Sequence, residues 1–167
     1  MSRKILILLR HAKSSWQNDQ LDDHDRPLNN RGRKAATRIG RLLVDEVVNV
    51  DLVLCSTSVR TRETADLVFA EFKKPPTISY RDDLYHASPD QIVSILAEAG
   101  KQSKSVMVIG HNPGFEELLE QLTGKAIPFP TAALTVLEPN IEDWKQCNYQ
   151  TRATLKQMWR PKELDDD

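Results

Sequence analysis

Three runs of mainly apolar residues stand out along the chain, and they predict strands over residues 5–9, 51–55 and 105–109. Such runs are typical of strands that are buried on both faces, as in a parallel sheet. A helical pattern of apolar residues follows the first run, beginning near Arg31, and consists of Ala35, Ala36, Ile39, Leu42, Leu43 and Val47. The alternation of strands with helices predicts βαβ units.

Further signals extend this alternation along the rest of the chain. Ser56–Ser58 can cap a second helix, Ser88 and Pro89 begin a third that ends at Gly100, and a fourth ends at Gly124. Shorter strands are predicted over 77–80 and 131–137. Residues 153–159 are expected to pair beside the second of these as an edge hairpin, to which Trp144 and Trp159 are also assigned. The predicted fold is therefore α/β, a three-layer αβα sandwich whose central sheet is mostly parallel with helices on both faces. One domain is predicted over residues 1–162, followed by an acidic tail over 163–167.

Residues 12–30 form a long polar loop, which in a compact domain indicates function. Within it, Arg26 either reaches a substrate or fixes its own loop by pairing with Asp22 or Asp25.

Composition and charge exclude several classes of function. The 167 residues are 40% hydrophobic and 28% charged, with a net charge of -1. With this net charge, the protein has no overall basic field that would recruit nucleic acid. No apolar run reaches the roughly 18 residues that a membrane span requires. Cys55 and Cys147 have no metal-like spacing, and no signal peptide is recognisable, so a cytoplasmic protein with reduced thiols is expected.

Basic and imidazole side chains follow three predicted strands at their carboxyl ends. Arg10 and His11 follow the first, Arg60 lies five residues after the second, and His111 follows the third. Because the carboxyl ends of parallel strands share one edge, these side chains are expected to converge. Two guanidinium groups, with helix N-termini nearby, indicate a phosphate or carboxylate ligand. A histidine can attack phosphorus, and a second can stabilise the transferred charge, so phosphoryl transfer is predicted.

Several motifs at these positions resemble the histidine phosphatase (phosphoglycerate mutase-like) superfamily. Its Arg-His-Gly signature corresponds to Arg10-His11-Ala12, with alanine in place of glycine. Its second block corresponds to residues 56–65, with Arg60 at the phosphate-binding position, and its Gly-His block to Gly110-His111. The SixA-type phosphohistidine phosphatase branch is resembled in particular, through the stretches 25–32, 111–114 and 130–133.

The resemblance implies a role for each of these residues. His11 is the nucleophile and becomes transiently phosphorylated, while Arg10, Arg60 and His111 hold the phosphoryl oxygens. Ser14 and Asn112 add hydrogen bonds to the substrate, and water then hydrolyses the phosphoenzyme. Neither a metal nor an organic cofactor is implied.

The chain departs from the superfamily at the proton donor. Many members carry a glutamate in a Leu-x-Glu context, whereas this chain has Leu84-Tyr85-His86. An alkoxide leaving group needs a proton, but the imidazole of phosphohistidine departs more easily. The missing glutamate therefore favours an N–P substrate. His86 is the first candidate for a replacement acid, with Asp82 and Asp83 as alternatives.

The expected partner is accordingly a phosphorylated protein that carries phosphohistidine, or else a small phosphate ester. Two other functions stay open. A phosphoglycerate mutase-like enzyme is less compatible, since such mutases are longer and keep the glutamate. A non-catalytic phosphate-binding module would not need the nucleophile.

Overall fold

The computed structural model describes residues 3–164, and the side chains of residues 3–162. Six strands are present in this range: β1 (Ile5–Arg10), β2 (Leu52–Ser56), β3 (Thr77–Arg81), β4 (Ser105–Gly110), β5 (Leu134–Pro139) and β6 (Ala153–Trp159). They are accompanied by four α-helices: α1 (Asn30–Asp45), α2 (Val59–Phe69), α3 (Pro89–Ala99) and α4 (Gly114–Thr123). The described helices include none that is long and apolar enough to cross a membrane.

The strands form one mixed sheet in the order β3-β2-β4-β1-β5-β6. The first four strands in this order are parallel, and β5 and β6 are added as an antiparallel pair at one side. The expected α/β fold with a mostly parallel sheet is confirmed. The antiparallel hairpin at the edge is also present, with β6 as the last strand.

Two hydrophobic clusters cover the two faces of the sheet, which explains the continuous apolar runs. Along β1, Leu6 and Leu8 pack into the cluster that includes α3 and α4. Ile7 and Leu9 point the other way, into the cluster that includes α1 and α2. Because successive side chains of a strand alternate between faces, a strand covered on both sides must be apolar at nearly every position. The structure is thus the predicted three-layer sandwich.

Strand β5 begins at Leu134, so the predicted start at Thr131 is wrong. Residues 131–133 instead form a turn in which Ala132 has a positive φ of 60°. The backbone N–H of Ala132 donates to the carbonyl groups of Arg10 and His11, at 3.1 and 3.0 Å. This turn therefore fixes the backbone at the end of β1, where an extension of the β5 strand was expected.

The prediction that Trp144 belongs to the edge hairpin is wrong. The residue begins a 3-10 turn (Trp144–Gln146) and is fully buried. Its indole packs over Gly100, where an added Cβ would lie 2.3 Å from the ring, and its N–H donates to the carbonyl of Ser103 at 2.6 Å. Trp159, in contrast, does lie on β6.

The predicted boundary between domain and tail, at residue 162, falls within a 3-10 turn. Residues 161–164 form a 3-10 turn, so the backbone is regular two residues beyond the predicted domain end at 162. The remainder of the predicted acidic tail, residues 165–167, lies outside the described residues.

Candidate active site

The pairing of two central strands brings together the histidines that follow them. In the parallel ladder between β1 and β4, Arg10 is aligned with Gly110. His11 and His111 immediately follow β1 and β4, and their ring centroids are 5.3 Å apart. Arg60 lies in the first turn of α2, and its Nε is 3.4 Å from Nε2 of His11. The carboxyl edge of the sheet thus gathers these groups around one point.

The hydrogen bonds of His11 define which ring nitrogen can react. Its Nδ1 lies 2.7 Å from the carbonyl oxygen of Ala12. Because a carbonyl oxygen can only accept, Nδ1 carries the proton and Nε2 carries the lone pair that faces Arg60. The ring is buried, and this burial, together with the charges of Arg60, Arg10 and Arg26, lowers the pKa of His11 to about 4. His11 is therefore a neutral imidazole with an available Nε2 at physiological pH.

His111 has the opposite orientation. Its Nε2 lies 2.8 Å from the hydroxyl oxygen of Ser56, and its Nδ1 lies 3.5 Å from Nη2 of Arg60. Since the guanidinium can only donate, Nδ1 is the acceptor and Nε2–H donates to Ser56. Burial, followed by the proximity of His11 and Arg60, lowers the pKa of His111 to about 3.

Ser56 is a member of this site that the sequence did not identify. We expected it only as one of three possible helix caps, but Ser58 performs that role by accepting from the N–H of Thr61. Ser56 ends β2 and is fully buried beside His111. The signal that could have identified Ser56 as a site residue is its position at the carboxyl end of a predicted central strand.

Arg10 contributes an unpaired N–H donor to the site formed by His11, Arg60 and His111. Its Nη1 donates to the carbonyl of Phe129 at 3.0 Å, which fixes the guanidinium. Its Nε is buried and has no hydrogen-bond partner within the described part of the chain. A buried N–H without an acceptor is costly, and such a donor is suited to an anionic ligand.

Asp23 and Tyr85 complete the site, and sequence reasoning missed both. Asp23 lies on a 3-10 turn (Asp23–Asp25) in the long loop, and its carboxylate accepts from Arg60 and Arg26, at 2.9 Å in each case. The hydroxyl of Tyr85 donates to the same carboxylate. Burial alone would raise the pKa of Asp23, but the hydrogen bonds from Tyr85, Arg60 and Arg26 outweigh it and lower the pKa below its usual range. Asp23 is therefore ionised.

Comparison with known proteins agrees with this arrangement. A family model described as "Histidine phosphatase superfamily (branch 1)" matches residues 6–85. The uncharacterized protein ML1117 of Mycobacterium leprae is 32% identical over 142 residues, which cover 77% of this chain and 86% of that protein. A structure from Agrobacterium tumefaciens, provisionally assigned as a phosphohistidine phosphatase SixA, is 33% identical, with a TM-score of 0.81 over 95% of this chain and 99% of that one. The chain belongs to the histidine phosphatase superfamily.

Within the histidine phosphatase superfamily, the chain is of the SixA type and is a phosphatase. A second provisionally assigned SixA, from Nakamurella multipartitia, is 28% identical, with a TM-score of 0.84 over 96% of this chain and 98% of that one. A protein histidine phosphatase SixA complexed with tungstate shares the fold, with a TM-score of 0.81 at 21% identity over 96% of this chain and 99% of that one.

All the site residues that the sequence singled out for this phosphatase line one cavity of about 370 Å³, namely Arg10, His11, Ser14, Arg60, His86, His111 and Asn112. The two alternative acids do not line it. Asp82 accepts from the hydroxyl of Thr57 at 2.6 Å, and Asp83 pairs with Arg81 at 2.8 Å.

The two predicted hydrogen-bonding residues of the phosphatase are already engaged. The hydroxyl of Ser14 accepts from Nη2 of Arg26 at 2.5 Å. Arg26 also pairs with Asp23 and stacks over the exposed ring of Trp16, so it fixes its loop as expected, although through Asp23 rather than Asp22 or Asp25. Asn112 donates to the carbonyl of Phe129 at 2.9 Å, and its side-chain oxygen accepts from the N–H of Glu116.

His86 lies at the rim of the cavity with a largely exposed side chain (63%). It has a positive φ of 59°, and its Nε2 is 3.9 Å from the Asp23 carboxylate. A positive φ is uncommon outside glycine. The ring of His86 packs against that of Tyr85, at a centroid distance of 4.0 Å.

We expect the ring of His11 to titrate with a midpoint near pH 4 in NMR spectra of the free enzyme, with its signals assigned through the His11→Asn variant. The unfolded chain takes up this proton near pH 6.5, so the folded state binds fewer protons between these two values. This group should therefore decrease stability as the pH falls through that window. A His11 midpoint near 6.5 would contradict the assigned environment.

Proposed function

We propose that this phosphatase hydrolyses phosphohistidine in a protein through a phosphoryl group carried transiently on His11. The observation that supports this most directly is the unprotonated Nε2 of His11, held by the bond from Nδ1 to Ala12 and placed beside Arg60. A nucleophile oriented by a second group and facing cationic donors is the arrangement that phosphoryl transfer requires.

The reaction takes place in two steps. The Nε2 lone pair of His11 forms a bond to phosphorus, the P–N bond of the substrate breaks, and the substrate imidazole leaves with its proton taken up from solvent or a rim residue. Water then attacks phosphorus, the bond to His11 breaks, and inorganic phosphate is released. Arg10 and Arg60 hold the phosphoryl oxygens in both steps. His111 joins them through Nδ1 when the negative charge of the incoming phosphoryl group leads that nitrogen to take up a proton. Ser14 and Asn112 shape the remaining wall of the cavity.

The leaving-group side of the site supports the choice of substrate. No carboxylic acid stands at Leu84-Tyr85-His86, and the nearby carboxylate, Asp23, is ionised and cannot donate a proton. Tyr85 already donates its hydroxyl proton to Asp23. Such a site is poorly equipped for an alkoxide, whereas imidazole leaves with less assistance.

A small phosphate ester is the second candidate, and the position of His86 at the rim favours it. If His86 protonates an ester oxygen, alkyl phosphates become accessible substrates. The two candidates predict different responses to the same variant.

The experiment compares kcat/KM for a phosphohistidine protein, an aryl phosphate and an alkyl phosphate, in the wild type and in His86→Ala. We expect phosphohistidine to be the best substrate and to be affected less than threefold by His86→Ala. Loss of a general acid costs about 10²–10⁴-fold where one is needed, so activity on alkyl phosphates should decline by this factor only if His86 protonates the ester oxygen, as the second candidate requires.

His24→Ala is the matched control, because His24 also contacts Tyr85, at a centroid distance of 4.8 Å, but does not line the cavity. A wild type that prefers alkyl phosphates, and loses that activity in His86→Ala, would support the second candidate instead.

We propose a cytoplasmic location for the enzyme. Cys55 and Cys147 are both free and buried, and burial raises the pKa of these thiols to about 12 and about 11. Protonated thiols are poor nucleophiles, which suits a protein kept in the reduced state. Fractionation of cells that produce the full chain tests this location.

A further inference from the structure

The guanidinium of Arg60 presents two different edges to its neighbours. Its Nη1 donates to the backbone carbonyl of Asp23 at 2.6 Å, and its Nη2 donates to the Asp23 carboxylate at 2.9 Å. Both atoms belong to the end of the guanidinium plane. The Nε and Nη2 atoms along the side of the plane instead face Nε2 of His11 and Nδ1 of His111, at 3.4 and 3.5 Å.

A guanidinium has five N–H donors in a rigid, planar arrangement, so fixing one edge also fixes the direction of the other. We propose that Asp23 is a positioning residue: it holds the end of Arg60 so that the side of the guanidinium points to the phosphoryl group. This inference rests on the proposed function, in which Arg60 binds the phosphoryl oxygens.

Asp23 is itself fixed by two further side chains. Arg26 donates to its Oδ1 and Tyr85 donates to its Oδ2. Tyr85 occupies the segment where many superfamily members carry the acidic glutamate, so this segment supports phosphoryl binding here and supplies no carboxylic acid. These contacts lower the pKa of Asp23, and 44% of its side chain is exposed to water, so the carboxylate is an ionised acceptor.

The same contacts admit an opposite role, in which Asp23 competes with the phosphoryl group for Arg60. The geometry favours positioning. The carboxylate occupies the end edge, whereas Nε2 of His11, the atom that would receive the phosphoryl group, faces the side edge. The two roles predict effects of opposite sign when the carboxylate is removed.

The test measures the affinity of the full chain for tungstate and for inorganic phosphate by calorimetry, together with kcat and KM. In Asp23→Ala we expect about tenfold weaker binding or more, because a hydrogen bond to a charged group contributes roughly 1.5–3 kcal/mol. KM should rise by a similar factor while kcat changes less. A purely structural defect would instead reduce the active fraction, and therefore kcat, without changing KM.

Two further variants sharpen the result. Asp23→Asn keeps one acceptor oxygen and should bind the anions with intermediate affinity. Asp22→Asn is the matched control, since it removes the same charge from the adjacent exposed position, and the Asp22 carboxylate has no hydrogen-bond or ion-pair partner among the described residues. It should bind tungstate as the wild type does.

Tyr85→Phe guards against misfolding of the Asp23 variants, because it removes the support of Asp23 without touching the loop. We expect it to weaken tungstate binding about threefold, within the effect of one hydrogen bond. Unchanged or tighter binding in Asp23→Ala would overturn the positioning role. A wild type that binds neither tungstate nor phosphate would overturn the proposed function itself, so the two failures are distinguishable.

Discussion

Replacing His11 by alanine is expected to abolish turnover, with a loss of kcat on the order of 10⁵-fold or more, as when a covalent nucleophile is removed from other enzymes. The reason is the unprotonated Nε2 that faces Arg60, for which alanine has no substitute. The measurement is single-turnover dephosphorylation of a phosphohistidine protein, with acid-labile, base-stable phosphate on the enzyme as the sign of the intermediate. His11→Ala should show no such label.

The same variant should keep its fold, because the imidazole makes one short hydrogen bond to the adjacent carbonyl and one long contact with Arg60, and it lies in a site that opens to the cavity. Thermal unfolding monitored by circular dichroism checks this. Binding of tungstate should be retained, since Arg10, Arg60 and His111 remain. Substantial turnover in a folded His11→Ala enzyme, or label that persists on another residue, would remove the nucleophile assignment.

The convergence of Arg10, His11 and His111 could be expected from the sequence because the topology determines it. A strand that is apolar at every position must be covered on both faces, and parallel strands place their carboxyl ends at one edge. The structure adds the register, in which Arg10 pairs with Gly110, and this register brings the two imidazoles together. The hydrophobic pattern therefore predicts the strands of the sheet and the residues that immediately follow them.

The loop residues had no comparable signal. Asp23 is one of several aspartates in a polar loop, and no periodicity distinguishes it from Asp22 or Asp25. Its contacts to Arg60 and Tyr85 join positions that are 37 and 62 residues apart. Such pairings depend on how a loop folds over the sheet edge, which local propensity does not specify.

Trp144 shows the same limit within the core. Its neighbourhood indicated a hairpin, but the residue lies in a short 3-10 turn whose position is determined by the space above Gly100. A tertiary contact of this kind overrides a local interpretation, because burial of a whole indole outweighs the weak preference of a strand.

Replacing Arg60 by lysine is expected to reduce kcat/KM about 10³-fold, in the range found when a transition-state arginine is lost from phosphoryl-transfer enzymes. Lysine keeps the charge but has a single ammonium, which cannot contact Asp23 with one edge and the phosphoryl group with the other. The two edges of Arg60 are both in use, through Nη1 and Nη2 towards Asp23 and through Nε towards His11. Charge alone should therefore not rescue activity.

Arg62→Lys is the matched control, because Arg62 lies two positions further along α2, is exposed, and donates its Nε to the carbonyl of Thr57 away from the cavity. Its kcat/KM should stay within twofold of the wild type. Measuring tungstate affinity alongside kcat/KM separates binding from chemistry: equal losses in both would assign Arg60 to phosphate binding in the ground state. A larger loss in kcat/KM would assign it to the transition state as well. Activity of Arg60→Lys within threefold of the wild type would show that charge is sufficient, and the planar geometry of Arg60 would then have no role in catalysis.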